Sequence, residues 1–211
     1  MTSDTVAGGS RAGAEPDGLR TDSVNPTALA ILDAAQSMMQ TVGYNGLSFR
    51  DIAAGVGIKS ASVHYHYPTK GALGAAVVRR YTDVLLAQFA ALADRGVSPQ
   101  AAIGAYVAAM KQTLERDGRM CLAGILAAEI AAVPPEVRAE VGRFVDLNVA
   151  WLADVIGSLT EGDAAGAPTR DQAIAIFAGL EGAMMIARAA DDLSRFDAIV
   201  ATMRRTGLLP S

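Results

Sequence analysis

One cysteine, Cys121, and two histidines, His64 and His66, are all that the 211 residues offer to disulfide or soft-metal chemistry. A lone cysteine excludes an intrachain disulfide framework and suits a reducing cytoplasm. No zinc-ligand spacing and no phosphate-cradling glycine loop occurs, and no segment alternates like a strand over a useful length. His64 and His66 stand two apart on one short segment, so on a helix they point to different sides and do not form a metal pair. A serine nucleophile would have to borrow one of them as its base. The reading is therefore of a non-enzyme without cofactor. Aromatic residues make up only 5% of a chain that is 51% apolar. Alanine, leucine, valine and methionine must fill the interior, which favours closely packed helices over sheets. The N-terminus lacks the apolar run of a signal peptide, and no stretch reaches the ~18 apolar residues that cross a bilayer. The expectation is a soluble, cytoplasmic protein with no membrane partner.

A surplus of positive charge is also missing, since the net charge is −4. Its distribution is uneven. Residues 26–95 carry six basic and four acidic side chains, residues 96–211 ten and fourteen, and residues 1–25 two and four. The basic balance is confined to the second of these segments, as a nucleic-acid-binding head inside an acidic protein requires; a solvated face without a partner has the same count.

Within that segment, residues 48–73 read as two short helices joined by glycine. Ser48 with Asp51 three residues on is a capping signal, and Ile52, Ala53 and Val56 give the first helix its apolar side. Gly55 and Gly57 allow a sharp turn, and the small Ala53 permits close approach of the second helix. There Ile58, Val63 and Tyr67 hold the helix down, while Ser60, Ala61, Ser62, His64 and Tyr65 remain more exposed. Such a helix fits a major groove. The same pattern also suits a corner inside any all-α protein. Pro68 ends it, and Thr69 caps a long helix, 69–93, with Lys70 in a first turn that favours anions.

Helical signals continue along the chain. Residues 1–25 have the composition of a flexible arm, in which Arg11 and Arg20 are the only cations. Asn25 and Pro26 open a first helix whose apolar face runs through Ile31, Ala35, Met38 and Val42 to Gly43. Further helices are expected at 99–116, 119–132, 135–159, 169–190 and 192–206, with a loop at 160–168. The segment 119–132 is almost wholly apolar before Glu129 and should lie inside.

The residues Ser48, Ile52-Ala53, Val56-Gly57, Ile58, Val63, His64-Tyr65-His66-Tyr67, Lys70 and Leu73 resemble the N-terminal pattern of the TetR/AcrR family of bacterial transcriptional regulators. Residues 27–73 carry the resemblance. It implies an all-α fold of nine helices, a homodimer with DNA-binding heads on double-stranded operator DNA, and a divergent body that releases DNA when a small-molecule effector binds. The implied division is an arm over 1–25, a helix-turn-helix domain over 26–73, and a ligand-binding and dimerisation domain over 74–211. Three positions depart from the commonest pattern. Ser48 replaces threonine and keeps the capping oxygen. His64 stands where a phosphate-contacting tyrosine is common, which ties that contact to pH. Tyr67 replaces phenylalanine, and its hydroxyl needs a partner.

On this reading Arg50, Lys70, Tyr65 and His64 hold phosphates, and Lys59, Ser60, Ala61, Ser62 and His66 lie at or beside base edges, with Ser48 capping behind them. In the body, Ile174, Phe177, Glu181, Met184 and Arg188 form a stripe at steps of three or four, expected at the dimer interface first and in a pocket second. Pocket candidates are Met110, Met120, Cys121 and Ile125, with Trp151, Phe177 and Met184, because thioethers and flat rings suit varied apolar ligands; ordinary core packing is the alternative for each. Two other readings stand beside a ligand-released repressor. Cys121 could sense oxidants or electrophiles, with Arg119 lowering its pKa, or the chain could be a helical ligand-binding protein without DNA binding.

Overall fold

The computed structural model describes residues 25–159 and 167–210, all in helices and their connections. Expectations for the arm at 1–24 and the loop at 160–166 fall outside them. The helices are α1 (Pro26–Val42), α2 (Phe49–Val56), α3 (Ser60–His66), α4 (Lys70–Asp94), α5 (Pro99–Glu115), α6 (Leu122–Ala128), α7 (Pro135–Gly157), α8 (Ala167–Ala189) and α9 (Ser194–Arg205). The starts of α1, α4 and α5 follow local chemistry. Asn25 Oδ1 accepts from the amides of Thr27 and Ala28, Thr69 Oγ1 from Ala72, and Ser98 Oγ from Ala101. Each satisfies an amide that the first helical turn leaves free.

Two apolar cores share α4. One gathers α1, α2, α3 and the first half of α4 and is closed by Leu122, Leu126, Val137 and Val141 of α6 and α7. The other fills the space among α4, α5, α7, α8 and α9. The face of α1 differs from the expected one: Ile31, Leu32, Ala35 and Met39 are buried, Met38 is half-buried and Val42 is 54% exposed. The helix packs on α2, α4 and α6 together, which rotates the buried side toward Leu32 and Met39.

Helix α6 is shorter than the apolar run implies. Residues 119–121 stay outside it because Met120 is committed elsewhere: its amide donates to the Gln40 carbonyl at 3.1 Å, and its carbonyl accepts from Gln40 Nε2 at 2.9 Å. At the other end Glu129 leaves the helix to accept from the amides of Tyr44 and Asn45, at 2.8 and 3.3 Å. Only Leu122, Ala123 and Leu126 of α6 are buried.

Helix α8 corrects two expectations. Its stretch Thr169–Ala189 is long and apolar enough to span a bilayer by length and composition. It packs instead on α5, α7 and α9. The stripe proposed for dimer contact also divides, because the face drifts around the helix. Phe177 and Met184 are buried in the subunit's own core, Arg188 donates to the Thr41 carbonyl of α1 at 2.6 Å, and Ile174 looks outward. The exposed apolar face of α8 comprises Ile174, Ala175, Ala178, Met185 and Ile186.

Candidate nucleic-acid interface and interior cavity

Local capping and one left-handed glycine build the corner. Ser48, extended at φ −129°, accepts the Asp51 amide on its Oγ at 3.3 Å. Gly57 adopts φ 76°, ψ 31°, a region that glycine enters at little cost, and turns the chain between α2 and α3. The Ile58 amide returns to the Ala53 carbonyl at 3.0 Å. Val63, fully buried, anchors α3 against Ile52 and Ala53 in the same core. The Tyr67 hydroxyl finds its partner in the Ala28 carbonyl of α1 at 3.4 Å, and burial pushes its pKa up, against a lowering influence from Arg80.

The outward side of α3 then carries the expected polar groups. Ser60, Ala61 and His64 are exposed, and Ser62 and His66 are half-buried. Tyr65 is 83% exposed, unusually open for a ring of its size. The His64 ring lies 4.6 Å from that of Phe49, and His66 meets Tyr65 edge-on at 5.2 Å. Lys59 is exposed at the N-terminal edge of α3, and Arg50 projects from α2 with only Asp51 within 3.5 Å. Ser48 is half-buried and spent on its cap. Lys70 is half-buried: its ammonium donates to the Asn45 carbonyl at 3.1 Å and sits 4.7 Å above the Tyr44 ring. Burial lowers its pKa, with Glu129 opposing.

Sequence reasoning missed the joint between head and body. The C-terminal end of α1 is gripped by three groups distant in sequence: the Gln40–Met120 pair, the Glu129 carboxylate on Tyr44 and Asn45, and the Arg188 guanidinium on Thr41. Gly43, at φ 77°, belongs here because a β-carbon would collide with the Glu129 carboxylate. The one readable signal was a glutamate closing an apolar run.

A cavity of about 360 Å³ runs between α4 and α5 and reaches the side of α1. Met110, Cys121 and Met184 line it together with Tyr81, Tyr106 and Phe144. Met120, Ile125, Trp151 and Phe177 are not in its wall; all four pack into the cores. Trp151 stacks on Phe89 at 3.8 Å. Phe89, with Leu85 and Tyr106, lines a more open groove of about 440 Å³ that adjoins the cavity between the same helices.

Tyr81, Tyr106 and Cys121 of the wall are backed by two buried polar residues outside it, Asn148 and Glu181. The buried Asn148 Nδ2 donates to the Tyr106 hydroxyl at 2.8 Å. Tyr81 and Tyr106 have pKa values raised well above the ordinary phenol range, chiefly by burial. Burial likewise pushes the Cys121 thiol well up, and the Glu181 charge adds to this. The expected activation by Arg119 is absent, because desolvation and a neighbouring carboxylate both favour the protonated thiol. Arg119 lies 3.7 Å from Asp117 instead. Burial raises Glu181 itself from 4.5 to about 7. Among the described residues no three of His, Cys, Asp and Glu gather within metal-binding reach.

Residues 31–77 match the family model described as bacterial regulatory proteins of the tetR family. Residues 99–202 match the C-terminal domain model of LmrA/YxaF-like transcriptional regulators. The chain is 33% identical over 100 residues to the HTH-type transcriptional regulator RutR of Escherichia coli strain K12, a stretch covering 47% of this chain and 46% of that protein. It therefore spans about half the length of the curated relatives it matches. A TetR transcriptional regulator from Legionella pneumophila superposes with a TM-score of 0.79 at 28% identity, over 87% of this chain and 98% of that one. A TetR-family regulator from Agrobacterium tumefaciens gives 0.77 at 30% identity, over 85% and 96%. The reduced form of E. coli NemR shares the fold, with a TM-score of 0.73 at 17% identity over 86% and 96%. With head and body each matched by a regulator model and the fold shared along nearly the whole of solved relatives, the chain belongs to the TetR family of bacterial transcriptional regulators.

Proposed function

We propose that two copies of this chain bind a near-palindromic operator, one α3 per half-site, and act in the cytoplasm as a repressor released by an apolar or amphipathic small molecule. The observation that carries this is the outward face of α3: Ser60, Ala61 and Tyr65 exposed over a fully buried Val63, at a corner set by Gly57. Tyr65, Arg50, His64 and Lys70 serve the phosphates, and Lys59, Ser60, Ala61, Ser62 and His66 serve base edges. The outward apolar face of α8 meets its copy in the dimer. No catalytic role is assigned.

An effector between α4 and α5 presses on the helix that joins the two cores, and on Cys121 beside the Met120–Gln40 pair. Release follows because the occupied state holds the heads at a separation the two half-sites do not match. The protonated, buried Cys121 favours this reading over thiol sensing. A gel shift on the DNA upstream of the protein's own gene tests the proposal. Retardation at low salt that survives unrelated competitor DNA is the expected result, and Tyr65→Ala should weaken it. A purified dimer indifferent to every duplex would leave the rival, a ligand-binding protein without DNA binding.

A further inference from the structure

The wall of the cavity carries more positive charge than the protein neutralises. Three guanidiniums line it, those of Arg80, Arg116 and Arg119, against a single carboxylate, Asp33. Asp33 takes Nη2 of Arg80 and leaves Nη1 buried without an acceptor. Arg119 likewise has its Nε buried without an acceptor, and its ion partner Asp117 stands 3.7 Å away, 85% exposed. Both arginines keep about a third of the side chain accessible, at 31% and 30%. Arg116 is exposed and pairs with no carboxylate among the described residues. The other polar groups near the opening, Gln36, Gln112 and Thr113, carry no charge. The inner wall is the opposite. Tyr106, Met110, Phe144 and Met184 are buried, and burial keeps the Tyr81 and Tyr106 phenols and the Cys121 thiol neutral. Behind Cys121, outside the wall, the buried Glu181 carboxyl disfavours a negative charge at that end.

Guanidinium donors left unmade in a partly desolvated site are costly, and a carboxylate meets their planar fork with charge-assisted hydrogen bonds. We infer that the effector is an amphipathic organic acid, its carboxylate paired at the guanidinium end of the cavity and its apolar body laid inward against Met110, Phe144 and Met184. This rests on the proposed effector role of the cavity and narrows it to one chemical class. The charge then lies at the joint of head and body, since Arg80 also holds Asp33 of α1 and Arg119 directly precedes Met120, the partner of Gln40. A neutral ligand of the same shape fills the apolar end but leaves the guanidiniums unpaired.

Three probes of one shape separate the cases: 4-phenylbutanoate, 4-phenylbutanamide and 4-phenylbutylamine, each titrated into the full chain by isothermal calorimetry and added to its gel shift on operator DNA. At pH 8 and low salt the carboxylate should bind about tenfold or more tighter than the amide, as expected of hydrogen bonds between charged partners. The amine should bind weakest. Preference for the carboxylate should shrink several-fold in Arg119→Gln and further when Arg116→Gln is added, with binding of the amide unchanged, a split that a merely structural loss does not give. Arg80 is left in place because it ties α4 to α1 through Asp33. The carboxylate should also release DNA at concentrations where the amide does not. Equal binding of carboxylate and amide, tighter binding of the amine, or full preference retained in the double variant overturns the organic-acid assignment and leaves the effector cavity standing. Selective binding of the carboxylate with DNA retention unchanged keeps the anion site and overturns its effector role. Binding by none of the three overturns both. The parent protein's own choice between carboxylate and amide decides the charge even if a variant folds poorly.

Discussion

Single side chains at the corner divide into those set by their neighbours in sequence and those set from afar. Ser48, Gly57 and Val63 do what local chemistry requires: a cap, a left-handed turn and an anchor. Each was legible because its cause lies within a few residues. Lys70 was half legible. Its place at the start of α4 follows from Thr69, but its contacts with Asn45 and the Tyr44 ring arise 25 residues away and cannot be read from spacing. Lys70→Ala should weaken binding to all duplexes alike and reduce the salt slope by about one phosphate contact. Filter binding across salt concentrations measures this, and an unchanged slope would remove Lys70 from the phosphate set. The buried anchors are the opposite case, where stability and not affinity responds. Ile52→Ala should cost about 2–5 kcal/mol in a denaturant titration, the usual range for truncating a fully buried aliphatic side chain.

Among elements, helix number and order were readable, because caps and breakers are local; partners were not. The end points of α6 depend on Gln40 and Tyr44, about 80 residues earlier. No periodicity within 119–132 carries that information. The α8 stripe failed for a related reason. Steps of three and four select residues on a common side, yet which side meets the subunit depends on α5, α7 and α9. The pocket candidates show the same limit, since Met110, Cys121 and Met184 reach the cavity while Trp151 and Phe177 support the core beside it. The joint at α1 makes an element-scale prediction. Gln40→Leu removes the donor from the buried Met120 carbonyl and should cost about 1–3 kcal/mol of stability. It should also blunt the effect of an effector on DNA affinity. A variant that keeps both its denaturant midpoint and its effector response would exclude this joint from the coupling route.

At the scale of the whole molecule, the outward face of α8 predicts assembly. Met185 and Ile186, 53% and 49% exposed, are large apolar side chains open to water in a single subunit. Met185→Glu should yield monomers at concentrations where the parent is dimeric, measurable by sedimentation, with loss of tight operator binding. Glu181 predicts a stability profile of unusual sign. Its folded pKa, about 7, lies above the 4.5 of the unfolded chain. The folded protein therefore holds the proton over that window while the unfolded chain releases it. Stability is fully present below about 4.5, falls as pH rises toward 7, and has lost about 3 kcal/mol above it, since each pKa unit is worth about 1.4 kcal/mol. Glu181→Gln should flatten this loss and raise the melting temperature at pH 8; thermal melts across pH measure both. The charge balance read from sequence gave no hint of it, because what matters is where one carboxyl is buried. Finally, α4 is a single 25-residue rod seated in both cores. Phe89 and Leu73 lie about 24 Å apart along it at 1.5 Å per residue, so a pivot of about 5° at the inner end sweeps the outer end through about 2 Å. Lever geometry thus turns a displacement smaller than a methyl group into a misfit that two rigidly joined arms each contribute to.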